Sequence, residues 1–224
     1  MTPGSCTARP SSLWARFEVD NADHENVSTR SKVTHSEGPE ARGHVRTLGG
    51  RSPLTYHYFA RWNPILDQPM DSLSSDEAAR RFEVGPWFSV GVSEDPHFGQ
   101  PRIIPSAILE LEPRATAAAV WFYAIEGTVT LRYNFRQIHG RLFLTNAVTY
   151  DYADSRKHTL DESVQTENMH FNPNGDVVTH RRIKATQTVQ KAEQHGVDVT
   201  GNWEEIPRFG EWDSLLRWER ESTA

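Results

Sequence analysis

The sequence predicts a mainly β protein: an antiparallel up-and-down barrel or half-barrel with short helices and a flexible N-terminal arm. Three observations predict it. Residues 117–199 read as successive extended runs separated by turn signals. Residues 128–135 alternate strictly, with Val129, Leu131, Tyr133 and Phe135 on one face and Thr128, Thr130, Arg132 and Asn134 on the other. The segment Asn172-Pro173-Asn174-Gly175-Asp176 sets Asn-Gly between two extended runs, the strongest short-range hairpin signal.

Composition bounds the rest. A chain of 224 residues fits one domain with extensions. Its hydrophobic content of 37% is low for such a body, and the deficit lies in the first part of the chain. We therefore expect a flexible arm over residues 1–45 and a single barrel-like domain over residues 46–224. The net charge of −6 has both signs interspersed, and the basic runs are as short as Arg80-Arg81 and Arg181-Arg182. No phosphate-binding face is expected, so nucleic acid is not an expected partner. The single cysteine, Cys6, excludes an intramolecular disulfide and suits a reducing cytoplasm. No basic start leads into an apolar run, and no run is long enough to span a bilayer. A cytoplasmic protein without a membrane partner is the expectation.

Along the chain, Leu13-Trp14-Ala15-Arg16-Phe17 is the apolar exception in the arm, either a docking element or an unstructured remnant. Residues 54–62, with Tyr56, Tyr58 and Phe59, suit a strand. Ser74 and Glu77 are spaced as a capping box, which starts a short helix that Gly85-Pro86 stops. Residues 87–92 form a strand, and residues 95–105, with Pro96, Pro101 and Pro105, a loop. Strands follow over 106–111, 117–124, 128–135 and 141–152, the last with Leu142, Leu144, Val148, Tyr150 and Tyr152 on one face. Residues 160–171 and 177–189 flank the Asn-Gly turn, and residues 197–200 are extended. Asp213 caps a terminal helix over 213–218.

About seven or eight antiparallel strands in this order suit a closed or half-closed barrel. The pattern over residues 87–203 resembles the calycin and lipocalin architecture. The Gly-x-Trp of that family occurs as Gly201-Asn202-Trp203, near the C-terminus instead of at the barrel's opening strand. The resemblance implies a fold and no site residue.

A barrel of this size holds one small ligand among its inward side chains. The apolar parity turns Tyr133, Asn146, Tyr150 and Tyr152 inward. Asn146, an amide between Leu144 and Val148, needs a hydrogen-bond partner, either another side chain or a ligand. Centring the hairpin on Asn174-Gly175 sets Phe171 opposite Val178, Met169 opposite His180 and Glu167 opposite Arg182. A carboxylate and an imidazole on an apolar surface are the ingredients of acid–base catalysis, and Glu167 with Arg182 alone makes a cross-strand ion pair. A one-residue slip would turn His170 inward instead.

The ten histidines show no metal-binding spacing, and no nucleotide-binding or serine-hydrolase motif occurs. The expectation is a protein without cofactor or metal. The leading reading is a cofactor-independent isomerase or cyclase acting on a small hydrophobic molecule in the lumen. Tyr150 and His180 are acid and base, Glu167 orients His180, and Tyr133, Asn146, Tyr152, Trp121 and Arg182 hold the substrate. The alternative is a non-enzymatic carrier or interaction module. It would use the aromatic tail, Trp203, Phe209, Trp212 and Trp218, against a partner or in a homodimer. The enzyme requires a cavity containing His180 and Glu167; the interaction module requires a filled barrel.

Overall fold

A computed structural model describes residues 54–64, 66–93 and 105–220. The expected arm with Leu13–Phe17, Cys6 and most of the proline loop lie outside the described residues.

The strands are β1 (Thr55–Asn63), β2 (Gln68–Leu73), β3 (Phe88–Ser93), β4 (Ala107–Leu111), β5 (Ala117–Tyr123), β6 (Val129–Ile138), β7 (Arg141–Asp151), β8 (Gln165–Phe171), β9 (Val177–Ile183), β10 (Thr188–Gln194) and β11 (Trp203–Glu204). They form one antiparallel sheet in the order β10-β9-β8-β7-β6-β5-β4-β3-β1-β2, with β11 added to β7. From β3 to β10 the sheet is a meander, β1 lies between β3 and β2, and the sheet stays open: β10 and β2 are its two ends and do not pair with each other. Among the described residues no helix is long and apolar enough to cross a membrane.

Helix α1 (Ser75–Val84) starts where its cap predicts, with the Ser74 hydroxyl accepting from the Glu77 amide at 3.2 Å. The return half of the box is missing, because the Glu77 carboxylate turns to Arg80 and Arg81. Ala78 and Phe82 are the buried residues of α1 and join the main core.

The period-two pattern sorts the sheet into two faces. One row of the core face runs Tyr58, Val90, Leu109, Val120, Tyr133, Ala147 and Met169, each directly opposite the next. A strap formed by residues 197–220 covers it. Trp203 pairs with Phe143 in the ladder and packs on its ring at 4.6 Å. Phe209 stacks on Tyr58 at 5.3 Å, Trp212 meets Phe82 edge-on at 5.5 Å, and Trp218 meets Phe122 at 5.1 Å. Trp212 and Leu215 are completely buried.

A buried ion pair closes the strap. Arg220, 1% exposed, donates to Glu204 at 2.5 Å and to the carbonyls of Ser214 and Leu215. Its guanidinium lies over the rings of Phe135 at 4.6 Å and Tyr133 at 5.3 Å. Burial pulls the Arg220 pKa down and Glu204 pushes it back up.

Four sequence expectations change. Residues 213–216 form a turn and the expected capped helix over 213–218 is not there, because the Asp213 carboxylate accepts from the Tyr56 hydroxyl at 2.6 Å instead of capping. Residues 177–189 are not one strand: a turn at Lys184–Gln187 splits them into β9 and β10, with Gln187 at φ 52°. Residues 160–171 open with a 3₁₀ turn, Leu160–Glu162, before β8. Residues 200–202 are also a 3₁₀ turn, and the two-residue β11 follows.

Candidate functional site

The β8–β9 hairpin decides which side chains share a face. The structure pairs Met169 with Thr179, Asn168 with His180, Glu167 with Arg181 and Thr166 with Arg182. This is one residue away from the register expected of a two-residue Asn-Gly turn. The cause is Pro173. In a turn centred on Asn174-Gly175, residue 173 would donate its amide across the ladder, and proline has none. Proline instead takes the second position of a turn closed by Gly175 N to Asn172 O at 3.0 Å, followed by Gly175 at φ 86°. His180 and Glu167 therefore stand on opposite faces of the sheet, and Glu167 opposes Arg181, not Arg182.

A second shift lies in β7. Asn134 pairs with Asn146 but Phe135 pairs with Leu144, so Thr145 is an extra residue. Its hydroxyl donates to the Asn134 carbonyl at 3.1 Å. Such a bulge reverses the parity of all that follows. Leu144 and Ala147 face the core, whereas Asn146, Val148 and Tyr150 turn to the opposite, open face.

Of the residues singled out in the sequence, the open face brings together Trp121, Asn146, Tyr150, His180 and Arg182. It does not include Tyr133 or Glu167. Tyr133 is in the core and donates to the Trp218 carbonyl at 2.7 Å, and burial pushes its pKa up to about 12. Tyr152 lies just beyond β7, donates to the Val129 carbonyl at 2.9 Å and stacks on His158 at 5.1 Å.

A row of the open face runs Glu110, Ala119, Asn134, Asn146 and His170 across β4 to β8. Beside it runs a second: Ile108, Trp121, Arg132, Val148, Asn168 and His180. The first row lines a groove of about 470 Å³, with Ala117 and Ala119 as its low floor and Trp87, Glu112, Arg136 and Thr145 at its sides. At the β1 end the open face closes over, where Phe59, Trp62 and Ile108 form a small second core against Trp121 and Tyr123.

The amides in the groove have a fixed direction. The Asn146 amide nitrogen donates to the Met169 carbonyl at 2.9 Å. A backbone carbonyl only accepts, so this bond settles which end of the Asn146 amide is which. Its oxygen then accepts from Asn134 Nδ2 at 2.8 Å, and its nitrogen also donates to Asn168 Oδ1. The result is a polarised chain in which Asn134 donates to Asn146 and Asn146 donates to Asn168, so that neither Asn134 Oδ1 nor Asn168 Nδ2 is used within it.

Glu110 accepts from the Trp121 indole at 3.1 Å, and Arg132 lies over that indole at 4.1 Å. Burial raises the Tyr150 pKa and Arg132 lowers it. The rings of His170 and His180 meet edge-on at 6.0 Å. Among the described residues no group of three or more His, Cys, Asp or Glu side chains is placed to hold a metal ion.

Sequence reasoning missed Glu110, Asn134, Asn168, Ala119 and Trp87 as members of one site. One signal was present. Asn134, Asn146 and Asn168 sit on three neighbouring strands, and asparagine is depleted in strands unless its amide is used.

Compared with known proteins, the chain matches no family model, no curated protein and no solved structure. Of the architecture expected from the sequence, the structure bears out an antiparallel sheet of up-and-down strands.

Proposed function

We propose that the protein is a non-catalytic binding module and that its ligand sits in the groove on the open face. The observation that carries this reading is the chain Asn134–Asn146–Asn168. Three amides locked on neighbouring strands present hydrogen-bonding groups in a set direction with no rotamer left to freeze. Rigid strands are also the most accurate support for such groups.

The core face supports the reading from the other side. Trp212 and Leu215 fill the place a lumen ligand would occupy. A proton-transfer enzyme built on His180 and Glu167 needs both groups within reach of one substrate. They lie on opposite faces.

The test is an amide-resolved NMR titration of the labelled protein with a small-molecule extract of its host. The reading expects shifts gathered at Ala119, Asn134, Asn146 and His170. Shifts gathered at Tyr133, Trp212 and Leu215 would overturn it in favour of a core-face ligand.

A further inference from the structure

We infer that the groove takes a short neutral oligosaccharide, with Trp87 as its stacking platform. This rests on the binding-module reading above and adds the chemical class of the ligand. Trp87 directly precedes Phe88, which is fully buried, yet Trp87 itself is 37% exposed. It stands as a ridge between two grooves, because it lines both the groove above and a second one of about 330 Å³ beside Arg61 and Met70. The Arg61 guanidinium lies over the ring at 5.1 Å on the side of the second groove. The ring is thereby braced while it lines the amide-bearing groove.

The floor beside it consists of the methyl groups of Ala117 and Ala119. Ring and alanines give the groove an apolar part, and Glu110, Glu112, Asn134 and Arg136 line it as well. A pyranose has the matching anatomy: carbon-bound hydrogens on one face and hydroxyls around the rim. The hydrogens carry slight positive charge and suit the negative face of an indole. Each hydroxyl both donates and accepts, so a row of them can meet the Glu110 carboxylate, Asn134 Oδ1 and the Arg136 guanidinium together.

Charge favours a neutral ligand. Glu110 and Glu112 flank the groove toward β4, and Arg136 and His170 flank it toward β6 and β8. An anion meets the carboxylates and a cation meets the arginine, whereas hydroxyls satisfy both. From Glu110 to Asn146 the groove crosses three strand spacings, about 14 Å, which fits an elongated ligand.

The experiment is an NMR titration of the full chain with cellotetraose, maltotetraose, xylotetraose and chitotetraose separately, and with tetra-alanine as the peptide control. The expected result is that at least one tetrasaccharide shifts the Trp87 indole proton and the Ala119 and Asn134 amides. Its affinity is unchanged by added salt, as expected of an uncharged ligand. Trp87→Ala weakens it by about tenfold or more, and Trp87→Phe retains part of it. The spectrum of each variant shows independently whether it is folded. If no tetrasaccharide moves these signals, or if binding is as strong in folded Trp87→Ala, the inference fails. Groove shifts with tetra-alanine alone would overturn the saccharide and leave the binding reading standing. Host-extract shifts at the core face would remove both.

Discussion

The strap over the core face depends on Arg220 and Glu204, and breaking that pair gives the sharpest test of the fold. Arg220 is 1% exposed and Glu204 6%. Replacing Arg220 with Met leaves the carboxylate buried with only the half-exposed Arg217 beside it. Removing one partner of a buried pair destabilises by about 3–5 kcal/mol. Contacts of the guanidinium with Tyr133 and Phe135 are lost too, and methionine's apolar packing replaces part of them. We expect about 3–4 kcal/mol in total, equivalent to a fall in Tm of roughly 6–16 °C for a domain of this size. The double variant Arg220→Met/Glu204→Met removes both charges; the carbonyls of Ser214 and Leu215 lose their donor, and the half-exposed Arg217 exchanges the Glu204 carboxylate for water. It should recover to within about 2 kcal/mol of wild type. The assay is urea unfolding of wild type, both single variants and the double. A single-variant cost under about 0.5 kcal/mol, or strictly additive costs, would refute the reasoning, because a solvated pair behaves in that way.

Gly175→Ala meets two obstacles, a φ of 86° and a new Cβ 2.7 Å from the Val197 carbonyl, and should cost about 2 kcal/mol in urea unfolding. Asn146→Leu leaves the Met169 carbonyl without its side-chain donor and Asn134 Nδ2 without its acceptor; unfolding should show a loss of about 1–3 kcal/mol, with groove binding lost as well. His195 Nδ1 lies 2.6 Å from Asp176, which raises the imidazole pKa above its ordinary 6.5 while His195 lowers that of Asp176 below 3.8. The Asp176 contribution to stability is present above pH 3.8 and fades as pH falls through its lowered value. The His195 contribution is full below pH 6.5 and fades as pH rises through its raised value, so the pair acts most fully between these limits. An NMR titration should find the His195 pKa above 6.5, and lower in Asp176→Asn than in the wild type.

Much of the fold is legible in the sequence where pattern and local chemistry agree. The strict alternation of residues 129–135 yields β6 with its faces as expected, and Ser74 places the start of α1. The failures are physical and particular. Pro173 was visible, and its missing amide forbids the two-residue turn that Asn174-Gly175 suggests; that single residue turns His180 away from Glu167. Thr145 offers no comparable local signal, since an extra strand residue is recognised only against its partner strand. The tail's aromatics are legible as apolar cover, but their place over the core depends on distant partners such as Tyr56 for Asp213 and Phe143 for Trp203. β11 is too short to show periodicity. The site divides in the same way. Asn146 stands out as a polar residue among apolar ones, but its partners Asn134 and Asn168 emerge only once three strands are in register.

The central claim is that the ligand lies in the open-face groove and not under the strap. Native mass spectrometry of the protein purified from its own host, as wild type and as Ala119→Trp, tests it most directly. Ala119 is half-buried at the groove floor and outside both hydrophobic cores, so the indole fills the groove and spares the core. The account predicts a small-molecule adduct on the wild type that Ala119→Trp lacks. An adduct of equal occupancy on both proteins would contradict it.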